Sequence, residues 1–281
     1  MSEGGTMNWI KKNIVNLVLV LVFLVGLGLI LYPTVSDYWN SFHQSRAIAS
    51  YAEEVAEIDN EDYSEMLNAA IAYNEKLAEQ RQVWNLSEEQ LEEYDSLLNV
   101  SDTGIMGYIE IEKIGCSLPI YHGTDEGVLQ IAIGHIEGSS LPVGGAGSHC
   151  VLSGHRGLPS ARLFTDLDQM VIGDTFVIRT LDEVLTYEVD QILIVEPEDL
   201  SALAIEPGQD LCTLVTCTPY GINTHRLLVR GHRVENAKTA KKIRVTADAQ
   251  QIDTTLVAIF MAIPILFALI VIVLIHSRKR R

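Results

Sequence analysis

A thiol, an imidazole and a guanidinium are the parts from which a chain can attack a carbonyl, move the proton and steady the negative charge that develops. The stretch "TLVTCTPYGINTHRLLVRGHR", residues 213–233, holds two of the three: Cys217 closes an apolar run at a Pro/Gly turn, and Arg226 follows nine residues later in "HRLLVR". A cysteine at a strand end sits on a rigid element yet stays open to solvent, which suits a nucleophile. The competing reading is a small buried hydrophobe, the commoner fate of a free cysteine. Arg226 weighs against it. If the two apolar runs pair as an antiparallel hairpin, the returning strand brings Arg226 back beside Cys217, where a guanidinium favours the thiolate and offers donors to an oxyanion. Thr216, the neighbour of Cys217, is the candidate for a substrate contact.

The acid or base must come from the eight histidines. His43 and His276 lie outside the strand-rich part, and His122, His135, His149, His225 and His232 fall in or beside expected strands. His155 differs, standing in "SGHRGLP" where flanking glycines let the backbone turn tightly and leave the ring projecting. Spacing alone leaves His155, His122 and His225 open. Cys116, Cys150, Cys212 and Cys217 lack the short paired spacing of metal or redox sites, so neither a metal nor a cofactor is expected. Cys212 and Cys217 would point to opposite faces of one strand, which leaves at least one thiol free.

These residues need a rigid frame. From Gly107 onward the pattern is short alternating runs, "GYIEIEKI", "CSLPIYHG", "VLQIAIGHI", "HCVLSGH", "TFVIRTL", "VLTYEVDQILIV", "LCTLVTC" and "HRLLVRGHRV", separated by Gly, Pro, Asp or Ser. Eight strands so spaced predict a mostly β fold, a closed barrel or a sandwich. "ARLFTDLDQM" is the one helix or helical turn among them, and the long connection 195–210 is a candidate groove wall beside Cys217. Between Ser36 and Leu98 the apolar spacing is helical. Its acids Glu53, Glu54, Glu57, Asp59, Glu61, Asp62 and Glu65 lack the glycine a calcium loop needs and read as a solvated face.

Both ends are apolar. Residues 14–32 and 256–275 are each long enough to cross a bilayer's roughly 30 Å hydrocarbon core as a helix. The first has no small-x-small cleavage site after it, so a retained anchor is expected. Lys11 and Lys12 precede it and "RKRR" follows the second, which places both termini in the cytoplasm and the middle outside the cell, in the membrane-bound part of a cell surface. The expected organisation is a cytoplasmic N-terminus 1–13, a span 14–32, a helical or lid segment 33–100, a barrel 101–236, a polar tether 237–255, a span 256–275 and a basic tail 276–281. The chain's net charge is −17 and that of the outward part is roughly −22, which excludes nucleic acid as a partner.

With "TLVTC" and Arg226, "LSGHRGLP" before them and "KIGCSLPIYHGT" earlier still, residues 107–234 closely resemble the sortases, membrane-bound cysteine transpeptidases of Gram-positive bacteria. "GSSLPVGG" and the long form around Cys217 are most similar to class C, the pilus-assembling branch. The resemblance implies an eight-stranded, mostly antiparallel sortase barrel with an N-terminal helical segment and two transmembrane helices. It also implies roles: Cys217 attacks the Thr-Gly bond of an LPxTG-like sorting signal on a pilin or surface protein, and His155 protonates the leaving amine and later takes a proton from the incoming one. Arg226 steadies the oxyanion, and the acceptor is a pilin lysine amine. Class C enzymes often carry a lid with an Asp-Pro-aromatic motif. No Asp-Pro occurs here; Trp84 is the candidate lid aromatic, with Val83 where proline is expected. The competing functions are attachment of single proteins to a peptidoglycan-precursor amine, a hydrolytic cysteine peptidase, and a non-catalytic surface receptor or scaffold.

Overall fold

A computed structural model describes residues 3–80, 84–100 and 103–236. The tether 237–255, the second apolar stretch 256–275 and Val83 lie outside the described residues.

The first apolar stretch does not end at Tyr32. It belongs to one 55-residue helix, α1 (Glu3–Glu57), that runs through Pro33. Among the described residues none of its apolar part is buried, and it is long enough to cross a membrane. Beyond Pro33 the helix binds the rest of the molecule along one seam. Asp37 Oδ1 accepts from the Arg162 amide at 2.8 Å, Asn40 Nδ2 donates to Ser160 O at 2.8 Å, and Gln44 Nε2 donates to Ile131 O at 2.6 Å. Ile48, Tyr51 and Val55 continue the seam as buried residues. The steps of three and four keep all six on one helical face. Tyr51 closes the seam by donating to Met106 O and accepting from the Leu181 amide.

Two shorter helices follow. α2 (Asn60–Glu79) is capped by Asp59, whose carboxylate accepts from the amides of Glu61 and Asp62. α3 (Glu88–Ser96) starts in a Ser87/Gln90 capping box. Each is fastened by a buried polar group: Asn74 exchanges two hydrogen bonds with the Leu141 backbone, and the Tyr94 hydroxyl lies 2.9 Å from His135 Nδ1.

The eight expected runs supply β1 (Ile105–Ile111), β2 (Cys116–His122), β3 (Ile133–His135), β4 (Ser148–Ser153), β5 (Thr175–Thr180), β6 (Glu183–Val195), β7 (Asp210–Thr218) and β8 (His225–Val234). They close into a barrel in the order β1-β2-β3-β4-β7-β8-β6-β5, antiparallel except for the β2–β3 and β4–β7 pairs. One run differs from its expectation. "VLQIAIGHI" begins in a helical turn, α4 (Glu126–Leu129), because the Leu129 and Gln130 amides bond back to Asp125 and Glu126 instead of to a neighbouring strand. In "ARLFTDLDQM" the helical part is a single 3-10 turn, Leu167–Gln169.

Alternation along the strands sorts the side chains into two groups. Cys150 and Leu152 of β4, Cys212 and Leu214 of β7, and Leu227 and Val229 of β8 join the main core, where Phe176 and Tyr187 stack at 5.5 Å. Gly231 is required there: a Cβ at that position would come within 2.8 Å of the Phe176 ring. The opposite face of the same strands carries Val151, Val215 and Leu228, which form a second, smaller apolar cluster with Leu203.

Candidate active site

The site forms where β4, β7 and β8 end together. The expected hairpin is present, and it sets Cys217 directly opposite Arg226. β4 runs parallel to β7 on the other side, from Ser148 opposite Asp210 to Ser153 opposite Val215. The next two residues keep that alignment: the Gly154 amide bonds to Val215 O at 3.0 Å, and the Thr216 hydroxyl donates to Gly154 O at 2.7 Å. His155 follows directly, in the turn that leaves β4 beside the Cys217 end of β7. A histidine, a cysteine and an arginine therefore form a row at the adjacent ends of three neighbouring strands.

Thr216, read from the sequence as a substrate contact, lies inside the barrel beneath the site. It faces the barrel side with Cys212 and Leu214, is 2% exposed, and spends its hydroxyl on Gly154. Strand alternation requires this, since its neighbour Cys217 takes the outer face. Thr216 thus ties the His155 turn to the strand carrying the thiol.

Arg156 is a second such residue, and one that sequence reasoning missed. Its guanidinium has 9% of its side chain exposed, pairs with Asp168 of the 3-10 turn, donates to Thr218 Oγ1 at 3.3 Å and lies over the Tyr220 ring at 5.9 Å. It links the His155 turn to the β7–β8 turn. Tyr220 packs against Gly157, where a Cβ would approach its ring to 2.9 Å. The signal in the sequence was adjacency alone, an arginine directly after His155.

The structure also separates the histidines. Both ring nitrogens of His122 face backbone carbonyls, of Gly104 and Leu97, and burial lowers its pKa. His135 is buried between Tyr94 and Ser140. His225 is occupied by Thr224 and by Glu196 at 3.2 Å. Among the described residues the His155 ring has no hydrogen-bond partner and is half-buried at the head of its turn. Arg226 donates to the carbonyls of Asn223 and His225 and, among the described residues, to no carboxylate. Cys217 is half-buried, and all four cysteines are free thiols. Cys116 contrasts with it: burial pushes that thiol up to about 12.

From Cys217 the outer face of the sheet continues as an apolar floor of Val151, Val215 and Leu228. Leu203 and Ala202, from the 195–210 connection, stand against it as a wall. Trp84 packs on this same cluster. It also borders a pocket of about 560 Å³ shared by Leu77, Ala146 and Pro207.

Comparison with known proteins agrees with this geometry. The sortase domain model matches residues 109–234. Sortase D of Bacillus subtilis strain 168 is 31% identical over 131 residues, a match that covers 46% of this chain and 63% of that protein. The chain thus spans less than two thirds of that curated relative. Among solved structures, sortase C1 of Streptococcus agalactiae is 53% identical with a TM-score of 0.67, the match covering 68% of this chain and all of that one. Sortase C of Streptococcus pneumoniae is 43% identical, TM-score 0.61, over 68% of this chain and 97% of its own. With a closed eight-stranded barrel, a His-Cys-Arg row at the ends of three adjacent strands and class C neighbours at this level of identity, the chain belongs to the sortase family, on its class C side.

Proposed function

We propose that the chain is a membrane-anchored cysteine transpeptidase that joins an LPxTG-like sorting signal to a pilin lysine. The observation that carries this reading is the row itself, Cys217 flanked on one strand by Arg226 and on the other side by His155. The Cys217 thiolate attacks the threonine carbonyl, and the oxyanion that forms is met by the Arg226 guanidinium, whose donors are uncommitted to any carboxylate. His155 gives its proton to the departing glycine amine, leaving a thioacyl enzyme, and takes a proton from the lysine amine that resolves it. The product is an amide, so repeated cycles polymerise pilins. The similar sortase C of Streptococcus pneumoniae has pilin substrate specificity, which supports a pilin as substrate here.

In this reading Trp84 acts as a lid, lying on the apolar floor that the leucine and proline of the signal would occupy. The apolar part of α1 crosses the membrane with the N-terminus in the cytoplasm, and residues 256–275 cross it again. The test is incubation of the full chain in detergent with an LPxTG-type peptide and a lysine-bearing pilin fragment, followed by intact mass. A peptide adduct that requires Cys217 and passes to the lysine supports the proposal. An unmodified chain that persists when Trp84 is changed to Ala in the folded protein overturns it.

A further inference from the structure

The strand directions give the barrel two ends of different character. β4 and β7 finish at the end that carries His155 and Cys217. β8 runs against β7 and β6 against β8, so β6 also finishes there; β5 therefore starts there and β1 finishes there. The turns 112–115, 171–174 and 219–224 accordingly sit at the catalytic end, and a 2.7 Å ion pair between Lys113 and Asp174 joins the first two.

α1 reaches the barrel at this same end. Asp37, Asn40 and Gln44 bind Arg162, Ser160 and Ile131, in the loop after His155 and just before β3. Tyr51, further along, reaches Met106 and Leu181 at the opposite end. Followed backward, the helix leaves the barrel from its catalytic end and enters the apolar stretch. Asp37 is five residues beyond Tyr32, about 7.5 Å along the axis at 1.5 Å per residue. A headgroup layer is roughly 5–8 Å thick on each side of the hydrocarbon core.

The two ends also differ in what they expose. Val171, Ile172, Tyr220 and Ile222 are more than half exposed at the tips of catalytic-end turns, and Tyr38 and Trp39 are exposed on α1 just past Pro33. The turns of the far end, 143–147, 181–182 and 206–209, expose no large apolar side chain. Aromatic residues at the end of a span and apolar tips beside it are what an interface between water and lipid accommodates.

From these observations we infer that the catalytic end of the barrel faces the bilayer and beds its tips at residues 171–172 and 220–222 in the headgroup layer. The partner is the lipid surface, and because the outward part is acidic the contact is apolar and independent of anionic lipid. The consequence is that the groove opens along the membrane plane, so a donor chain anchored in the same membrane meets Cys217 without rising above the barrel. This rests on the reading that residues 14–32 span the membrane.

The test uses the full chain carrying Cys217→Ala, reconstituted in phosphatidylcholine vesicles, with an environment-sensitive fluorophore placed in turn at Ile172→Cys, Ile222→Cys, Gln209→Cys and Leu21→Cys. Nitroxide lipids labelled at the headgroup are expected to quench positions 172 and 222 at least twofold and to leave position 209 unchanged at low and high salt. Position 21 should be quenched by an acyl-chain nitroxide. Quenching at 21 with none at 172 and 222, or more at 209 than at either, overturns the orientation while the anchor stands. Absence of quenching at 21 overturns the anchor and the orientation with it.

Discussion

The same three strands carry a histidine-hydroxyl-arginine group further along their length, and its fate is the opposite of the row of His155, Cys217 and Arg226. There His149 of β4 lies 2.8 Å from Thr213 Oγ1 of β7, and Thr213 is opposite Arg230 of β8. Every group is committed. The second nitrogen of His149 faces Ala204 O at 2.8 Å, and Arg230 pairs with Asp190 and Glu206. In the row of His155, Cys217 and Arg226, among the described residues, no carboxylate and no carbonyl takes up the imidazole or the thiol. Both groups set a histidine of β4 and an arginine of β8 about a polar residue of β7, although His149 is level with Leu211 and reaches Thr213 diagonally, so such a grouping does not by itself make a site. What differs is whether the neighbours satisfy the polar atoms: in the first group they do, and in the second the imidazole and thiol keep their donors and acceptors open, as the proposed chemistry needs.

Mutations should divide along that line. Cys217→Ala is expected to abolish the peptide adduct entirely, with an unchanged thermal midpoint, as read by intact mass and circular dichroism. Thr213→Cys in that background should not restore it, and an adduct at position 213 would break the comparison. Arg226→Ala should cost about 10²–10³-fold in turnover and leave stability nearly unchanged. Arg230→Ala should do the reverse, losing about 1–3 kcal/mol in denaturant unfolding because Asp190 is left part-buried without its partner. Equal stability losses in the two arginine variants would erase the distinction.

Arg156→Gln should lower turnover through the position of His155. Steady-state kinetics should show the loss in kcat, and Arg156→Lys, which keeps charge but not the fork to Asp168 and Thr218, should recover only part of it. Trp84→Ala should speed adduct formation, measured by time-resolved mass, since it uncovers the floor of Val151, Val215 and Leu228.

The smallest effect is with pH. Burial lowers the pKa of His149 below its ordinary 6.5, so the unfolded chain binds the proton first as pH falls. The stability this neutral ring contributes is complete above 6.5 and is lost as pH drops through the folded value. Thermal unfolding from pH 7.5 to 4.5 should show that decline, and His149→Gln should flatten it; a profile unchanged by the substitution would remove His149 from the account.

The hairpin with Cys217 and Arg226 was legible because its information is local: two alternating runs, a Pro/Gly turn and a nine-residue spacing. The eight strands were legible for the same reason, and α4 was misread because a short apolar run does not distinguish strand from helical turn. His155 was different. Its place follows from the parallel pairing of β4 with β7, partners 62 residues apart in sequence, and only resemblance to a family singled it out beforehand. The same long-range pairing turned Thr216 away from the site and put Arg156 into it.

Periodicity, composition and turn residues by themselves determined that this chain has an apolar N-terminal helix, a run of eight strands and a cysteine facing an arginine. These are properties of neighbours along the chain, set by alternation and backbone preference. Tertiary structure decided which histidine joins the cysteine, which arginine stays unpaired and from which end of the barrel the helix departs. Those depend on contacts such as Asn40 with Ser160 and Ser153 with Val215, between residues far apart in sequence, and no local pattern encodes them.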